Sequence, residues 1–472
     1  MGLNVFNTLS RSVEPFVPLD PDGKKVGIYC CGPTVHDFAH IGNFRTFVFA
    51  DVLRRYLAFR GFNVNHVMNI TDVEDKIIRR VNESGKSLSE YTNEFEKAFF
   101  KDLKTLGCLM PDEQPHATKF IGPIIKLIKK LEKNGIAYTT GDGSVYFSIE
   151  KYRKAGNQYG QLLNLNLDEM RPGERVSNDE YEKESVADFA LWKSRVPEDG
   201  EVFWNSPWGE GRPGWHIECS AMSMELLGPS FDLHLGGEDL VFPHHEDEIA
   251  QSEGACMHSD GKKFVKYWMH GAHLLVEGKK MSKSLGNFFT LRDLLAKGFD
   301  GREVRYLMIS AHYRETFNFT LDNLEGAKTA MSRIDECTAK LHELTLDQTA
   351  EPVNDSPLIS GFTEAMDNDL NVSAAWAAVF DWVRDTNRKL TSSGLDSAAA
   401  ATELANWEQI NSVLGIKSRE AKAPAEILVL AEQRQAARKA KDFARSDQIR
   451  DELANQGWII EDTPNGPRVK RG

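Results

Sequence analysis

Continuous apolar runs and helical stripes alternate along the first seventy residues. Residues 26–31 (VGIYCC) form a short apolar run stopped by Gly32-Pro33, which predicts a strand buried on both faces. Residues 44–61 repeat apolar positions at helical spacing and stop at Gly61, which predicts a helix with a glycine end. Residues 64–70 (VNHVMNI) predict a second buried strand. Strand, glycine-containing turn, helix and strand make the βαβ unit of a parallel sheet. A ligand site is expected at the carboxyl end of its first strand.

The pattern changes over 111–207. A helix is expected over 121–133, ended by Asn134-Gly135, then strand-like pieces at 137–140 and 144–148 and a polar stretch. This reads as an insertion splitting the first domain. Strand–helix alternation returns over about 215–276, and the chain is mostly helical after 291. Residues 325–415 are Ala-rich with the repeating apolar spacing of a helical bundle, and Pro424 marks a further boundary. The expected parts are 1–110 and 208–275 as two halves of one α/β domain, 111–207 as the insertion and 276–324 as a loop region. A bundle over 325–420 and a small module over 421–472 complete the chain.

At roughly 150 residues per domain, 472 residues suggest about three domains. Lys and Arg total 57 against 70 Asp and Glu, a net charge of −13. That excess argues against a protein that coats nucleic acid non-specifically, though a local basic patch stays open. Six scattered cysteines fit a reducing compartment better than a disulfide framework. No run of 18 apolar residues is present, so no transmembrane helix and no membrane partner is expected. The opening MGLNVFNTLSRS lacks the pattern of a secretory leader, and Phe6 stands where N-myristoylation wants Ser or Thr.

Three constellations carry candidate chemistry. Residues 31–43 (CGPTVHDFAHIGN) follow the first strand and open the helix. Main-chain N–H groups at a helix start favour a phosphate, and His40 either adds a donor or merely caps the helix. Lys280-Met-Ser-Lys283-Ser284 puts two lysines three apart on a flanking Gly/Ser loop. That suits mobile charges closing on a polyphosphate, or a plain solvated loop. Candidate metal ligands are Cys31, Cys219, His244, His245, Glu246 and Glu248. On a helix His244 and Glu248 would share one face, and thiolate, imidazole and carboxylate suit tetrahedral zinc. No Cys-x-x-Cys pair marks the set, so buried structural cysteines beside an acidic helix are the alternative.

His40-Ile-Gly-Asn43 and Lys280–Ser284 together, on a βαβ pattern, resemble the signatures of class I aminoacyl-tRNA synthetases. GIYCCGPTV, NITDVEDKII, GRPGWHIECSAM, FDLHLGGEDLVFPHHEDEIAQS and KMSKSLGNFFTLRD resemble, in order, blocks of the cysteinyl-tRNA synthetase family. The similarity runs from about 7 to 468. It implies an α/β, Rossmann-like parallel-sheet catalytic domain split by an insertion, then an α-helical bundle and a small C-terminal module. It implies activation of L-cysteine by ATP with Mg2+, and transfer to the terminal adenosine of cysteine tRNA. One Zn2+ per chain is implied on Cys31, Cys219, His244 and Glu248, with His245 and Glu246 as rivals. The family's zinc takes the substrate thiolate directly, whereas shape alone would separate cysteine from serine by only about 1–3 kcal/mol.

By the same resemblance His40, Asn43, Lys280 and Lys283 are catalytic. Gly42, Gly236, Gly237 and Asp239, with Lys283, lie on the ATP side. Thr71, Trp215 and His234 lie near the amino acid. Asn43 stands where the family most often has His.

In the last module Arg434, Arg438 and Lys441 fall at i, i+4 and i+7, one helical face. Trp458 follows near another basic end. Cations beside an aromatic suit single-stranded RNA loops, and a solvated helix face is the alternative. The resemblance implies that this module reads the anticodon and that the bundle, including residues 362–376, holds the same limb of the tRNA. A monomer in the cytoplasm is expected. Two rivals remain: a ligase coupling cysteine to an amino sugar–inositol, whose chains tend to lack the basic module, and a non-catalytic paralogue.

Overall fold

The computed structural model describes the chain except residues 1, 164–187, 257–262, 282–285, 346–347, 393, 418–423, 464–465 and 472. The chain opens with an antiparallel hairpin, β1 (Asn4–Asn7) and β2 (Ser12–Pro15). Strand β3 (Lys25–Cys30), helix α1 (Ile41–Phe59) and strand β4 (Asn63–Met68) then form the βαβ unit. β3 and β4 pair in parallel, with Ile28 opposite His66 and Cys30 opposite Met68. Gly61 takes φ +87° just past α1, the left-handed turn that the glycine stop supplies.

Helices α2 (Asp75–Ser84) and α3 (Leu88–Thr105) follow. Helix α4 (Ile121–Lys133) buries Ile121, Ile124, Leu127, Ile128 and Leu131, one stripe at helical spacing. Next come β5 (Ala137–Thr139), β6 (Val145–Phe147), α5 (Ile149–Lys154), β7 (Phe189–Ser194), β8 (Trp204–Ser206) and β9 (Gly209–Pro213). These five strands pair antiparallel in the order β5-β6-β7-β9-β8.

Helix α6 (Trp215–Leu227) and strand β10 (Phe231–Gly237) return to the parallel sheet. Helix α7 (Glu246–Cys256) and strand β11 (Val265–Gly271) complete it. Its order is β11-β10-β3-β4. From β3 the chain moves one way to β4, and from β10 it moves the other way to β11. The carboxyl ends of β3 and β10 therefore meet at a topological switch point, the place where open α/β sheets bind ligands. Cys30 lies opposite Leu235 in that register, so Cys31 leaves β3 beside Gly236, which stays paired with His270 of β11.

Strands β12 (Leu274–Val276) and β13 (Lys279–Lys280), helices α8 (Leu291–Ala296) and α9 (Gly301–Met308), and strand β14 (Phe317–Phe319) follow. They form a small sheet of order β13-β12-β14. Helices α10 (Leu321–Thr345), α11 (Pro357–Asp367), α12 (Val372–Thr391) and α13 (Ser397–Leu414) come next. Helices α14 (Ala425–Lys439) and α15 (Phe443–Asn455) and the hairpin β15 (Trp458–Thr463), β16 (Gly466–Arg471) close the chain.

The chain divides into two compact units. One is Met1–Met331, Val353–Asp385 and Asn406–Ile416; the other is Ser332–Pro352, Thr386–Ala405 and Lys417–Gly472. Within the second, Ile427, Ala431, Ile449, Leu453, Trp458 and Ile460 make a core of their own. Among the described residues no helix is long and apolar enough to cross a membrane.

His66 on β4 is 5% exposed, and neither ring nitrogen has a hydrogen-bond partner among the described residues. Burial, with Arg54 nearby, pushes its pKa down to about 4. An unfolded histidine binds a proton near 6.5, so between about 6.5 and 4 the unfolded chain binds more protons and stability falls as pH falls. The expected contribution is up to about 3 kcal/mol. Urea unfolding should show wild type losing stability relative to His66→Leu as pH falls from 7 to 4. A difference independent of pH would contradict the buried neutral imidazole.

Candidate functional site

The site is built around three consecutive carboxylates at the start of α7. Glu246, Asp247 and Glu248 are all at most 1% exposed, and a buried charge must find partners. Glu246 accepts from the main-chain N–H groups of Gly160 (2.6 Å) and Leu162 (3.0 Å). Asp247 accepts from the Tyr159 hydroxyl and lies 3.4 Å from His216 Nε2. Glu248 faces two histidines: His234 Nε2 is 2.9 Å from its Oε2, and His244 Nε2 is 3.1 Å from its Oε1. Of the two rival donors, His245 and Glu246, Glu246 is thus turned away from the cluster.

Four elements converge on Glu248. Cys31 follows β3, Cys219 lies on α6, His234 on β10, and His244 in the turn before α7. Cys31 Sγ is 3.9 Å from Cys219 Sγ and 3.6 Å from Glu248 Oε1. Among the described residues, two overlapping groups of donors each lie within 4.8 Å: Cys31, Cys219, His244, Glu248, and Cys31, His234, His245, Glu248. In a tetrahedral site with metal–sulfur bonds of about 2.3 Å, two sulfurs stand about 3.8 Å apart. The first group has that spacing. Its His244 is also oriented from behind, Nδ1 lying 2.8 Å from His216 Nδ1. His245 likewise has Nε2 3.4 Å from Cys31 Sγ and Nδ1 2.7 Å from His270 Nε2, and the other His270 nitrogen, Nδ1, lies 2.8 Å from the Thr8 hydroxyl.

Protonation follows the same geometry. The hydrogen bond from Cys31 draws the Cys219 thiol down, and burial pushes Cys31 up. Burial opposes charge on Glu248, but His234 and His244 hold it at about 2. Burial opposes a charged His244 too, yet Cys219 and Glu248 raise it to about 10. The proton on His244 neutralises the same two anions that a bound cation would. This donor set therefore fits a metal ion in chemistry as well as in spacing.

His40 is the N-cap of α1. Its Nδ1 accepts from Asn43 N–H (3.2 Å), and Asn43 Oδ1 accepts from His40 N–H (3.1 Å). This reciprocal capping box commits Nδ1 and leaves Nε2 outside the cap. Burial lowers the His40 pKa, and Asp239 works against that, so Asp239 shares its surroundings. The two signature strings meet here. Ile41 N–H donates to Phe289 O (3.0 Å), His40 bridges Thr290, and a Cβ on Gly42 would lie 3.0 Å from Met281 Cε. Lys280 is exposed on β13. Lys283 and Ser284 lie outside the described residues.

Gly236 and Gly237 end β10 beside the cluster, and a Cβ on Gly236 would lie 2.5 Å from His245 Cε1. Trp215 opens α6, is 37% exposed, and sets its ring 4.3 Å from that of His244. It borders a cavity of about 250 Å3 that His216, Glu218, Asp239 and Phe242 also line. Thr71 is buried, accepts from Asn69 Nδ2 (3.2 Å), and joins the 31–36 loop through Pro33 and Val35. His234 is fully buried, so its reach to a ligand runs through Glu248.

Comparison with known proteins follows from this arrangement. The family model for the class I (C) tRNA synthetase catalytic domain matches residues 16–329, and that for the DALR domain matches 361–418. The cysteine–tRNA ligase of Chlamydia muridarum is 47% identical over 486 residues, covering 100% of both chains. That of Protochlamydia amoebophila is 46% identical over 479 residues, 99% of this chain and 98% of its own. The chain belongs to the cysteinyl-tRNA synthetase family.

It is an enzyme of the class I aminoacyl-tRNA synthetases, with their α/β fold. Mycobacterium tuberculosis methionyl-tRNA synthetase bound to methionyl-adenylate matches with a TM-score of 0.56 at 15% identity, over 83% of this chain and 89% of that one. The leucyl enzyme of Agrobacterium radiobacter K84, in a ternary complex with tRNA, matches with 0.59 at 12% identity, over 85% of each chain. At those identities the likeness concerns the fold alone.

Elsewhere in this synthetase, three residues of the C-terminal module need correction. Arg434 is 7% exposed, because it sits on the α14 face turned inward. Lys441 is not on that helix: α14 ends at Lys439, and Lys441 takes φ +61° in the turn. Trp458 is 6% exposed within the apolar core, not on a basic surface. The exposed aromatic is instead Phe443, 62% exposed between Lys441 and Arg445. Sequence reasoning also left His216 and His270 unassigned, although His216 sits in the GRPGWHIECS block next to Trp215. Trp458→Ala should cost the module about 3–5 kcal/mol, read as faster amide exchange across residues 425–471. Unchanged exchange would return Trp458 to the surface.

Proposed function

We propose that the protein is a cysteine–tRNA ligase that activates L-cysteine with ATP and Mg2+ and transfers it to the 3′-terminal adenosine of cysteine tRNA. The single observation that carries this reading is the buried Cys31, Cys219, His244 and Glu248 cluster at the switch point, beside an exposed Trp215. These four residues would hold one Zn2+, His245 being the rival donor. Bound there, zinc supplies a centre that prefers a thiolate to a neutral hydroxyl, and so separates cysteine from serine.

The chain's own groups do the rest. Trp215 and Thr71 flank the amino acid, and His234 holds Glu248 in place. The α1 start, His40 Nε2 and Gly42 receive the phosphates; the capping box gives Asn43 the task of keeping His40 in position. Gly236, Gly237 and Asp239 border the nucleoside. Lys280 and Lys283 stabilise charge developing on pyrophosphate. The attacking carboxylate is already ionised, so no general base is required and catalysis is positioning plus electrostatics. Residues 1–110 and 208–275 make up the catalytic domain, 111–207 the insertion, and 276–324 the region around the Lys280 loop. The bundle over 325–420 and the module over 421–472 hold the anticodon limb, with Phe443, Arg438 and Lys441 as the exposed contacts. The expected state is a cytoplasmic monomer.

Cysteine-dependent ATP–pyrophosphate exchange by zinc-loaded protein, followed by charging of cysteine tRNA, tests the reading. Exchange without charging would indicate another acceptor, and no exchange would refute it. Cys219→Ser should lose both metal and cysteine affinity, whereas His245→Gln should retain the metal; the opposite order would select the rival donor group. Phe443→Ala should raise the KM for tRNA roughly tenfold and leave exchange unchanged. Equal loss of both would make Phe443 a structural residue.

A further inference from the structure

We propose that Arg45 is the positioning residue that fixes the Lys280 strand against the catalytic helix start. The activity half of this inference rests on the ligase reading above.

Arg45 lies on α1, two residues past Asn43, and is 4% exposed. All four of its hydrogen-bond acceptors are main-chain carbonyls. Nη1 donates to Ala272 O and His273 O, both at 2.9 Å, and Nη2 donates to His312 O (3.0 Å) and Glu315 O (2.6 Å). Phe317 packs its ring 5.6 Å from the guanidinium carbon. Burial lowers the pKa to about 10, which still leaves the group charged at neutral pH.

The placement of those carbonyls is what matters. Ala272 and His273 immediately precede β12, and His312 and Glu315 precede β14. These two strands pair with each other, Leu274 opposite Phe317, and β12 alone carries β13 on its other edge, Leu275 opposite Lys280. The two loops also bond directly, Ala272 N–H to Tyr313 O (2.8 Å) and Phe317 N–H to His273 O (3.1 Å). One guanidinium thus grips the root of the small sheet whose edge is Lys279–Lys280. A second tie lies beyond residues 282–285, where Ile41 N–H meets Phe289 O at 3.0 Å. The lysine segment is therefore referenced to α1 before and after. A planar fork with five donors can span two loops; a lysine ammonium, a single point, cannot.

Amide hydrogen exchange on Arg45→Lys and Arg45→Gln tests the grip without reference to activity. In both variants the amides of 274–280 and 317–319 should exchange at least tenfold faster, while those of 231–237 on β10 stay unchanged. Unchanged exchange in the small sheet, equal loosening of β10, or loss of folding in both variants would overturn the proposal. In cysteine-dependent pyrophosphate exchange, kcat/KM for ATP should fall at least tenfold, with the KM for cysteine within twofold and the metal content intact. A parallel loss for ATP and cysteine would also overturn it. Failure of the wild-type protein to exchange pyrophosphate would refute the ligase reading, and the amide test would still decide on Arg45.

Discussion

A carboxylate stripped of water must be met by opposite charge, and Glu248 imposes that demand at the centre of this protein. It is 0% exposed. Desolvating an unpaired ion of this kind costs several kcal/mol, so its partners have to be delivered from elsewhere in the chain. β10 delivers His234, the turn before α7 delivers His244, and β3 and α6 bring Cys31 and Cys219 to the same point. The neighbouring carboxylates obey the same rule with different partners: main-chain N–H groups for Glu246, and Tyr159 and His216 for Asp247. Packing of β3, α6, β10 and α7 is therefore inseparable from the electrostatics of the cluster. Removing His244 leaves the repulsion between Cys219 and Glu248 without its shared cation.

The sheet order explains why this cluster and the capped start of α1 are neighbours. At the switch point between β3 and β10 the main chain departs in opposite directions, leaving a crevice. Cys31 follows β3 there, and α1 begins ten residues later with its capped N-terminus. Gly236 is the backbone concession that makes the crevice possible, since any side chain there would run into His245. Beyond the crevice, Phe289 and Met281 bring the second signature over the first. The buried donor cluster and the capped helix start are thus built on the two ends of one strand-to-helix connection.

Much of this was legible in the sequence, for identifiable reasons. Buried parallel strands read as continuous apolar runs, so β3 and β4 stood out, and the stripe on α4 marked that helix from Ile121 to Lys133. The candidate metal donors were not readable from spacing. Cys31 and Cys219 are separated by 188 positions, and only family resemblance paired them before the 3.9 Å contact was seen. The C-terminal module shows the opposite failure. Periodicity put Arg434 on a helical face, but it cannot say which face turns inward, and the core claimed both that face and Trp458. Phe443, just after the Asp442 N-cap, lies one turn before the buried Ser446, Ile449 and Leu453 and stays exposed at the helix start.

The central claim is that Cys31, Cys219, His244 and Glu248 form a metal site that takes the substrate thiolate. X-ray absorption at the zinc edge of the loaded protein, with and without cysteine, tests it most directly. The account predicts two sulfur donors from this set and one more on adding cysteine, with no change on adding serine. A single sulfur donor would select the His234–His245 group instead, and a coordination shell indifferent to cysteine would contradict the account.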